Sequence, residues 1–425
     1  MRIYFNSARS FENGILHGGS PMNAIEIKPD IYWVGAIDWS VRDFHGYVTQ
    51  NGTTYNNYLI KDEQITLVDT VKHDFDTITM ENIKSIVDPS RVKNIIINHI
   101  EPDHASALGG VMRYMPEATI YITERGKKGL ERYHDTSKWN IKVVKNGDTL
   151  NIGKYNLLFL ETPMLHWPDS MVTYVKEAKL LISQDAFGQH IASAARFDDD
   201  FVASHSQYEL DDAVIDYYAN ILMPFGRLIK TKIEEIRKLG IEIDMIAPDH
   251  GIIWRKDPGK IMQMYLNMAG GKAKSSVAII YDTMWHSTEL MTVPLVRGIQ
   301  DAGVDCMVMK LRSTPMSFAI KEFWKARGCL VGVPTMNNVM FPSVAEFLYH
   351  LAGLRPKDRI MGAFGSFGWG GGAVKEAYEK FKQMGLTTVE PGVQALYKPS
   401  AEDERQCYEF GKLFAVRMKE YDAQF

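Results

Sequence analysis

The chain has 425 residues, of which 45% are hydrophobic, so two domains with sizeable cores are expected rather than one. Its 48 basic and 52 acidic residues give a formal net charge of −4, which argues against a general nucleic-acid-binding protein. No uninterrupted apolar run approaches the length of a membrane span, so no membrane anchor is expected. The three cysteines are scattered, which argues against a disulfide framework or a cysteine metal site and favours a reducing cytoplasm.

The first 21 residues have neither the apolar core of a signal peptide nor an amphipathic period. We therefore expect residues 1–21 to be an extension that is disordered or not native; Met22 as the natural start and a genuine short extension before it both stay open. The first strand is predicted directly afterwards, at residues 23–27. Two more strands are predicted at residues 54–60 and 64–69, separated by a charged turn.

A β-branched run at residues 92–97 predicts a buried strand, and four potential metal ligands follow it within six residues. These ligands are His99, Glu101, Asp103 and His104. Two imidazoles mixed with two carboxylates form a hard, oxygen-rich set that suits iron or manganese better than an all-sulfur set. An ordinary polar loop is the alternative, but burying this much polarity without a partner is costly.

The cluster resembles the metallo-β-lactamase superfamily, whose zinc hydrolases carry His-x-His-x-Asp-His at this place. Here Glu101 replaces the middle histidine. His-x-Glu-x-Asp is the pattern of the flavodiiron proteins, a branch that binds two irons and reduces oxygen or nitric oxide. The later ligands of that family, a histidine, a bridging aspartate and a last histidine, are matched in order by His166, Asp185 and His250.

The resemblance implies that each ligand has a defined role in a di-iron centre. Three carboxylates nearly offset two ferrous ions, and one bridging hydroxide would complete neutrality, which favours burial. The implied ligands are His99, Glu101 and His166 for one iron, Asp103 and His250 for the other, and Asp185 as the bridge.

Four further histidines are not expected to bind iron. His104 is expected to lie behind the ligands, because the equivalent residue in the family sometimes binds the second iron and sometimes turns away from it. His134, His190 and His205 lack a motif context, so a solvated or hydrogen-bonded side chain is expected for each.

Residues 229–239 alternate apolar and charged side chains at helical spacing. The resemblance implies an αββα metallo-β-lactamase-like sandwich over residues 22–268, with the metal site along one edge of its two sheets. Residues 269–275 are small and basic and predict a linker. A second domain is expected over residues 276–425, with a core separate from that of the first.

An apolar strand predicted at residues 276–281 is followed by a loop rich in hydroxyl groups and then by a helix. Such a loop suits a phosphate, because its N–H groups and those of the first helical turn point at the anion. It resembles the phosphate loop of flavodoxins, although serines and threonines at a helix start are often simple caps. The candidate ligand residues in this loop are Thr283, Met284, Trp285, His286, Ser287 and Thr288.

Two later loops also follow apolar strands, predicted at residues 330–333 and 360–364. Doubly wound sheets bind their ligands at the carboxyl ends of such strands. Glycines let backbone N–H groups approach a flavin ring, and Trp369 is expected to cover its face. The resemblance therefore implies a flavodoxin-like doubly wound parallel sheet that binds flavin mononucleotide (FMN). The candidates here are Pro334, Thr335, Met336, Asn337, Asn338, Ser366, Phe367, Gly368, Trp369, Gly370 and Gly371.

Reduction of oxygen to two waters takes four electrons, and a di-iron centre with a reduced flavin carries four. Reduction of two nitric oxides to nitrous oxide takes two. The resemblance thus implies an oxidoreductase, assembled as a head-to-tail homodimer or a dimer of dimers. No pair of Cys-x-x-Cys knuckles is present, so a separate electron donor is expected. Rubredoxin is the first choice, because the loops at residues 284–286 and 367–369 look like those of rubredoxin-dependent members, and a reduced deazaflavin is the second.

Two other functions remain open at this point. A two-metal zinc hydrolase with an accessory flavodoxin-like domain would use metal-bound hydroxide as its nucleophile, but Glu101 argues against it. An electron carrier that uses flavin alone would have no need for the complete ligand set.

Overall fold

Residues 24–425 are described by a computed structural model, and they form two α/β units joined by a short connection. The proposed extension at residues 1–21 and the start at Met22 lie outside the described residues. Within residues 24–425 no helix combines the length and the apolar character that crossing a membrane requires.

The first unit contains two large sheets. The strands are β1 (Ile25–Lys28), β2 (Ile31–Trp33), β3 (Ala36–Asp38), β4 (Asp43–Phe44), β5 (Tyr47–Val48), β6 (Thr53–Tyr55), β7 (Tyr58–Ile60), β8 (Thr66–Val68), β9 (Asn94–Ile97), β10 (Thr119–Thr123), β11 (Asn140–Val144), β12 (Thr149–Asn151), β13 (Asn156–Glu161), β14 (Met171–Val175), β15 (Leu180–Gln184) and β16 (Met245–Pro248). One sheet has the order β1-β2-β7-β8-β9-β10-β11 and the other has the order β12-β13-β14-β15-β16.

Helices cover the outer face of each sheet, which gives the αββα sandwich. The two sheets bury a shared apolar layer that includes Trp33, Tyr58 and Phe159. Outside them, Ile83 packs under the first sheet and Ile233 under the second. The helices are α1 (Asp76–Ile86), α2 (Pro102–Ala105), α3 (Leu108–Val111), α4 (Glu124–Tyr133), α5 (Asp198–Ser204), α6 (Gln207–Tyr217), α7 (Gly226–Lys238) and α8 (Pro258–Ala269).

The single strand predicted at residues 54–60 is wrong, because the structure contains two strands there. β6 pairs with β3, whereas β7 joins the seven-stranded sheet between β2 and β8. Asn56 separates them: its side-chain amide donates to the carbonyl oxygen of Pro248 at 2.8 Å, and its Oδ1 accepts from the Trp33 indole at 2.8 Å. These tertiary hydrogen bonds replace the strand ladder, and a run of β-forming residues gives no sign of them.

The second unit is a doubly wound sheet with helices on both faces. Its central strands are parallel in the order β18-β17-β19-β22, with β23 and β24 both paired to β22. The strands are β17 (Lys274–Tyr281), β18 (Asp305–Lys310), β19 (Ala326–Gly332), β20 (Thr335–Met336), β21 (Val339–Met340), β22 (Ile360–Phe367), β23 (Thr387–Thr388) and β24 (Val393–Leu396). The helices are α9 (Ser287–Asp301), α10 (Met316–Lys325), α11 (Pro342–Gly353), α12 (Ala373–Gln383) and α13 (Ala401–Asp422).

The linker predicted at residues 269–275 is shorter in the structure, since α8 ends at Ala269 and β17 begins at Lys274. The intervening chain is fixed rather than free. The carbonyl oxygen of Gly271 accepts hydrogen bonds from the buried guanidinium groups of Arg327 and Arg359, each at 3.2 Å. Hydrogen bonds to charged groups are among the stronger ones in proteins, so the connection holds a defined path.

The expectation of two separate cores is wrong, because one apolar cluster continues from the first unit into the second. Tyr218, at the start of the π-helical turn Tyr218–Leu222 that follows α6, stacks on Trp324 of α10 with ring centroids 5.7 Å apart. Beside this contact the Ser317 hydroxyl donates to the carbonyl oxygen of Val48 at 3.0 Å. The two units therefore share an apolar junction that neither sequence half predicts alone.

Candidate metal centre and flavin cleft

The predicted metal ligands lie on loops at the ends of strands, except Asp103, which lies in the short helix α2 directly after such a loop. His99, Glu101 and Asp103 follow β9, and Asp185 and His250 follow β15 and β16. The sixth, His166, lies in the connection between β13 and β14. Strands of a rigid sandwich hold these loops in place, which is the usual way that a protein positions binding groups. The structure brings all six side chains together in two groups. Within each group the potential ligand atoms lie within 4.8 Å of one another: one group is His99, Glu101, His166 and Asp185, and the other is Asp103 and His250 with His104.

Asp185 lies between two groups of nitrogen atoms. Its Oδ2 is 3.4 Å from Nε2 of His99 and 3.3 Å from Nε2 of His166. Its Oδ1 is 3.2 Å from Nε2 of His104 and 3.4 Å from Nε2 of His250. The two carboxylate oxygens thus face opposite sides, which is the geometry of a carboxylate that bridges two ions.

A second carboxylate completes each side. Oε2 of Glu101 lies 3.1 Å from Nε2 of His166, and Oδ2 of Asp103 lies 3.0 Å from Nε2 of His250. Several of these buried atoms, including Nε2 of His166 and of His250, have no hydrogen-bond partner among the described residues. Buried polar groups are rarely left unsatisfied, so nitrogen and oxygen atoms that converge without hydrogen-bond geometry indicate ligands around a metal. The residues present therefore fit a two-metal site.

The electrostatics of the cluster support the same conclusion. Burial by itself lowers the pKa of a histidine, but hydrogen bonds with Asp169 and Glu101 outweigh it and raise the pKa of His99 to about 10. The nearby carboxylates of Asp185 and Glu101 likewise overcome burial and raise the pKa of His166 to about 9. Burial would raise the pKa of Glu101, but the adjacent imidazoles of His166 and His99 lower it to about 2. The carboxylates of the cluster therefore stabilise positive charge among the candidate ligands.

His104 departs from the sequence prediction, because its Nε2 lies among the ligand atoms instead of behind them. This atom is 3.3 Å from Oδ2 of Asp103, and the ring is buried. The other ring nitrogen, Nδ1, lies 3.0 Å from Oδ2 of Asp249. A carboxylate on the far nitrogen is the usual arrangement for a metal-binding histidine, since it fixes the tautomer and the ring orientation. Sequence spacing could not reveal the rotation of this ring.

Asp169 supports His99 in the same way, with Oδ2 at 3.0 Å from Nδ1 of the histidine. The same oxygen accepts a hydrogen bond from the backbone N–H of Ile100 at 2.9 Å. Asp169 and Asp249 are therefore functional residues that the motif search passed over. The sequence did contain a signal for both residues, because Asp169 lies close in the chain to the predicted ligand His166 and Asp249 directly precedes His250.

His45 and Tyr217 were also missed, and no sequence signal identifies them. His45, in the hairpin between β4 and β5, places Nε2 3.5 Å from Oε1 of Glu101 and 3.7 Å from Oδ2 of Asp103. Tyr217, at the end of α6, donates its hydroxyl to Oδ1 of Asp185 at 2.9 Å. Both residues are distant from the motif in the chain, and only the fold brings them to it.

The three histidines without a motif context are hydrogen-bonded, as predicted. Nε2 of His134 lies 3.0 Å from the carbonyl oxygen of Ala105. Nδ1 of His205 lies 2.9 Å from the Ser204 hydroxyl near the protein surface. His190 is buried instead, with Nδ1 2.8 Å from the Thr53 hydroxyl and its ring 5.2 Å from that of His250.

A cleft of about 670 Å³ lies at the carboxyl end of the parallel sheet in the second unit. This volume is in the range of small-molecule sites. The exposed indoles of Trp285 and Trp369, 81% and 84% accessible, stand at its rim. Residues of the three predicted loops form most of its lining: Met284, Trp285, Ser287, Pro334, Thr335, Met336, Asn337, Asn338, Ser366, Phe367, Gly368, Trp369 and Gly370.

Four predicted residues do not line this cleft. Thr283 and Thr288 are buried behind it, and the Thr288 hydroxyl lies 2.9 Å from that of Ser366, which ties the first loop to the third. His286 has a left-handed backbone with φ 65° before α9, and its Nδ1 lies 2.7 Å from Oε2 of Glu289. Gly371 lies at the end of the third loop, away from the lining. The N-cap side chain makes no hydrogen bond to the first turn of α9, so those N–H groups remain available for an anion.

Two lining residues were not predicted. Tyr397 and Lys398 follow β24, whose pairing with β22 brings them to the same edge as the other loops. The rule that ligands bind at the carboxyl ends of parallel strands would have found them, had the short strand β24 been recognised. Lys398 adds a positive charge to a cleft otherwise lined by apolar and uncharged polar groups.

Two family models match the chain. One, described as ODP family beta lactamase, matches residues 53–251, and the other, described as Flavodoxin, matches residues 279–411. A relative named nitric oxide reductase, from Moorella thermoacetica, is 45% identical over 93% of this chain and 98% of its own length.

Solved structures of similar proteins also match the chain over nearly its full length. Rubredoxin oxygen:oxidoreductase from Desulfovibrio gigas is 38% identical with a TM-score of 0.90, over 94% of this chain and 99% of that one. The flavodiiron protein from Giardia intestinalis is 32% identical with a TM-score of 0.90, over 95% and 98% of the two chains. With this similarity over nearly the full length of both units, the chain belongs to the flavodiiron proteins.

Proposed function

We propose that this flavodiiron protein is an oxidoreductase that reduces oxygen to water, nitric oxide to nitrous oxide, or both. The observation that carries the proposal is the position of Asp185, whose two oxygens face opposite groups of imidazole nitrogens. The names of similar proteins, nitric oxide reductase and rubredoxin oxygen:oxidoreductase, agree with this reaction class.

The proposed ligand sets follow the two sides of Asp185. His99, Glu101 and His166 hold one iron, and Asp103 and His250 hold the other, with Asp185 as the bridge. His104 joins the second set, which the 3.2 Å separation of its Nε2 from Oδ1 of Asp185 supports. With it, each iron has two imidazoles, one terminal carboxylate and one bridging oxygen, a mixed nitrogen and oxygen set typical of non-haem iron.

FMN is the proposed ligand of the cleft in the second unit, and together with the two irons it completes the proposed cofactor set. When bound, the flavin and the two irons supply the electrons that the reduction consumes. Trp369 covers the ring from the rim, and the free N–H groups at the start of α9 receive the phosphate. A Cβ added at Gly370 would lie 2.8 Å from Oδ1 of Asn338, so a glycine keeps these two loops close together.

The domain division that accompanies this proposal is residues 22–268 for the di-iron domain and 276–425 for the flavin domain, joined by the short connection between α8 and β17. A head-to-tail homodimer, or a dimer of two such dimers, is the proposed assembly. The exposed indoles of Trp285 and Trp369 support a surface that another protein covers. Reduced rubredoxin is the proposed electron donor, and a reduced deazaflavin is the second choice.

Turnover with two donors and two substrates tests the function. Iron- and FMN-loaded protein is supplied with reduced rubredoxin or with reduced deazaflavin, and the consumption of oxygen or of nitric oxide is followed, the latter without oxygen. Consumption of at least one gas in proportion to donor oxidation is the expected result. Hydrolytic activity with zinc, and no consumption of either gas by the iron-loaded protein, would instead establish the hydrolase alternative.

A further inference from the structure

A second cleft, of about 230 Å³, opens at the junction of the two units and ends close to the metal cluster. One wall is α6 of the first unit, and the opposite wall is α10 of the second. The buried ring of His190 forms part of its lining, and this ring lies 5.2 Å from that of His250. The cleft therefore leads from the surface to the layer of side chains behind the metal ligands.

Asp216 of α6 lines this cleft without an ion-pair partner among the described residues. Within residues 24–425, its only side-chain hydrogen bond comes from the amide of Asn220, whose Nδ2 is 3.2 Å from Oδ1. Asp212, one turn earlier, is paired instead with Lys321 and Lys325 across the junction. Among the three carboxylates that line the cleft, Asp212 is paired with lysines, Glu209 accepts a hydrogen bond from the Ser206 hydroxyl at 2.8 Å, and Asp216 has no lysine or hydroxyl partner within the described residues.

Two buried polar atoms near the end of the cleft that is close to the metal cluster have no hydrogen-bond partner in residues 24–425: the hydroxyl of Tyr47 and Nε2 of His190, whose ring both lines the cleft and neighbours His250. The two rings are neighbours, with centroids 5.9 Å apart. Nδ1 of His190 is already occupied by the Thr53 hydroxyl, so the ring orientation that aims Nε2 away from Thr53 is fixed. Buried polar groups of this kind are usually satisfied by ordered water.

We infer that this cleft is the proton-entry route of the metal centre, with Asp216 as its proton carrier and with the Tyr47 hydroxyl and His190 Nε2 as the groups that order the connecting waters. The inference rests on the proposed function, because a proton route is needed only if the reaction consumes protons. Oxygen takes up four electrons and four protons to give two waters. Two nitric oxides take up two electrons and two protons to give nitrous oxide and water.

Each proton that is delivered to the metal centre leaves Asp216 in its carboxylate form. The carboxylate then takes up a new proton from solvent in the open cleft, so the step needs no oxidant or reductant beyond the electron donor. Tyr47 and His190 hold water and need not change charge. This division of roles suits their positions, because His190 is next to a metal ligand whereas Asp216 is on the solvent side.

The surroundings of Asp216 keep a substantial fraction of its carboxyl group protonated near pH 7. Burial raises its pKa to about 7, and the charges of Asp212 and Glu322 act in the same direction against Lys321 and Lys325. Tyr47 faces it from the β4–β5 hairpin, within range of the charges of both Asp216 and Asp185. As the pH rises through about 7 the acid form is lost, so the rate of a proton-limited reaction falls.

Asp216→Asn tests the route, because the amide keeps the shape of the side chain and removes the proton. Loaded holoenzyme is reduced without oxygen, mixed with oxygen or nitric oxide, and its reoxidation is followed over a range of pH. The variant is expected to react about 100-fold more slowly, without the fall above neutral pH, and with unchanged iron and FMN. The matched control is Asp211→Asn, a carboxylate on the same helix that does not line the cleft and is expected to behave as the parent.

Infrared spectroscopy gives a readout that does not depend on turnover. The carboxyl band of a protonated aspartic acid is expected to titrate near pH 7 in the parent and in Asp211→Asn, and to be absent in Asp216→Asn. A parent that reacts with either gas, together with an Asp216→Asn variant of the same rate and pH profile, overturns the route. A parent that reacts with neither gas overturns the proposed function itself.

Tyr47→Phe keeps the route testable if Asp216→Asn fails to fold or loses iron. The Tyr47 hydroxyl has no protein partner, so its removal is expected to cost little stability. A slower reoxidation with normal iron and FMN supports the route, and an unchanged rate at every pH overturns it.

Discussion

The hydroxyl of Tyr217 donates a hydrogen bond to Oδ1 of Asp185 at 2.9 Å, on the side of the carboxylate that also faces His104 and His250. Tyr217 ends α6, and the π-helical turn that follows packs against the second unit through Tyr218. The carboxylate of Asp185, the proposed bridge, is thereby oriented by the helix that forms the domain junction. The metal centre is not an isolated feature of one sheet edge.

Replacing the bridge should disable the centre while leaving the flavin. We predict that Asp185→Ala loses at least one iron and slows turnover by more than about 100-fold, because changes to supporting residues alone typically cost 10–100-fold. Iron and FMN per chain, measured beside turnover, check this outcome. Since the two units share an apolar cluster, the thermal unfolding of the variant must be compared with that of the parent. Two irons and normal turnover in the variant would remove Asp185 from the bridge.

The position of His104 gives a second prediction. His104→Ala should bind only one iron per chain, because Nε2 of His104 lies among the atoms of the second ligand set. His134→Ala is the matched control, since His134 bonds to a backbone carbonyl and is expected to leave both irons in place. Two tightly bound irons in His104→Ala would return this histidine to the supporting role that the sequence predicts.

Trp369→Ala should weaken FMN binding, because an indole that stacks on the ring contributes about 1 kcal/mol beyond the area it buries. The expected rise in the Kd for FMN is roughly tenfold, with iron content unchanged. Fluorescence titration of flavin-free protein measures it. Tyr349→Ala, an exposed aromatic on α11 that does not line the flavin cleft, is the control. Equal affinities in Trp369→Ala and the parent would exclude Trp369 from the flavin site.

Metal loading should release protons at neutral pH. Without metal, His99 and His166 have pKa values of about 10 and about 9, so both rings are protonated at pH 7. An imidazole must lose its proton to bind a metal, and the affinity for iron therefore rises with pH until the pH exceeds these pKa values. Calorimetry in two buffers of different ionisation enthalpy counts the protons released. Loading without proton release would show that the rings are neutral before the metal arrives.

The sequence predicted the parts of the molecule that local patterns determine. The strand before His99 and the spacing of the ligands that follow it were visible, because the loop packs its ligands into a few residues. His45 and Tyr217 were not visible, because they reach the cluster from a hairpin and a helix that only the tertiary fold brings there. The direction of the His104 ring was also hidden, since it depends on Asp249, more than a hundred residues away.

In the flavin cleft too, residues in clear local patterns were predicted, and residues outside such patterns were not. Loops after long apolar strands were predicted, whereas Tyr397 and Lys398 follow a strand of only four residues. The shared junction of the two units was missed for another reason. Apolar residues on the outer faces of α6 and α10 have the same periodicity whether they meet a partner unit or cover their own sheet.

The content of iron and FMN in the purified, reconstituted protein tests the central claim most directly. Elemental analysis and the flavin absorbance of protein loaded without oxygen are expected to give two irons and one FMN per chain. The Asp185→Ala variant, prepared in the same way, should keep the FMN and lose iron. Stoichiometric zinc that iron does not displace, with no bound flavin, would contradict the assignment of a di-iron centre and a flavin cleft to this chain.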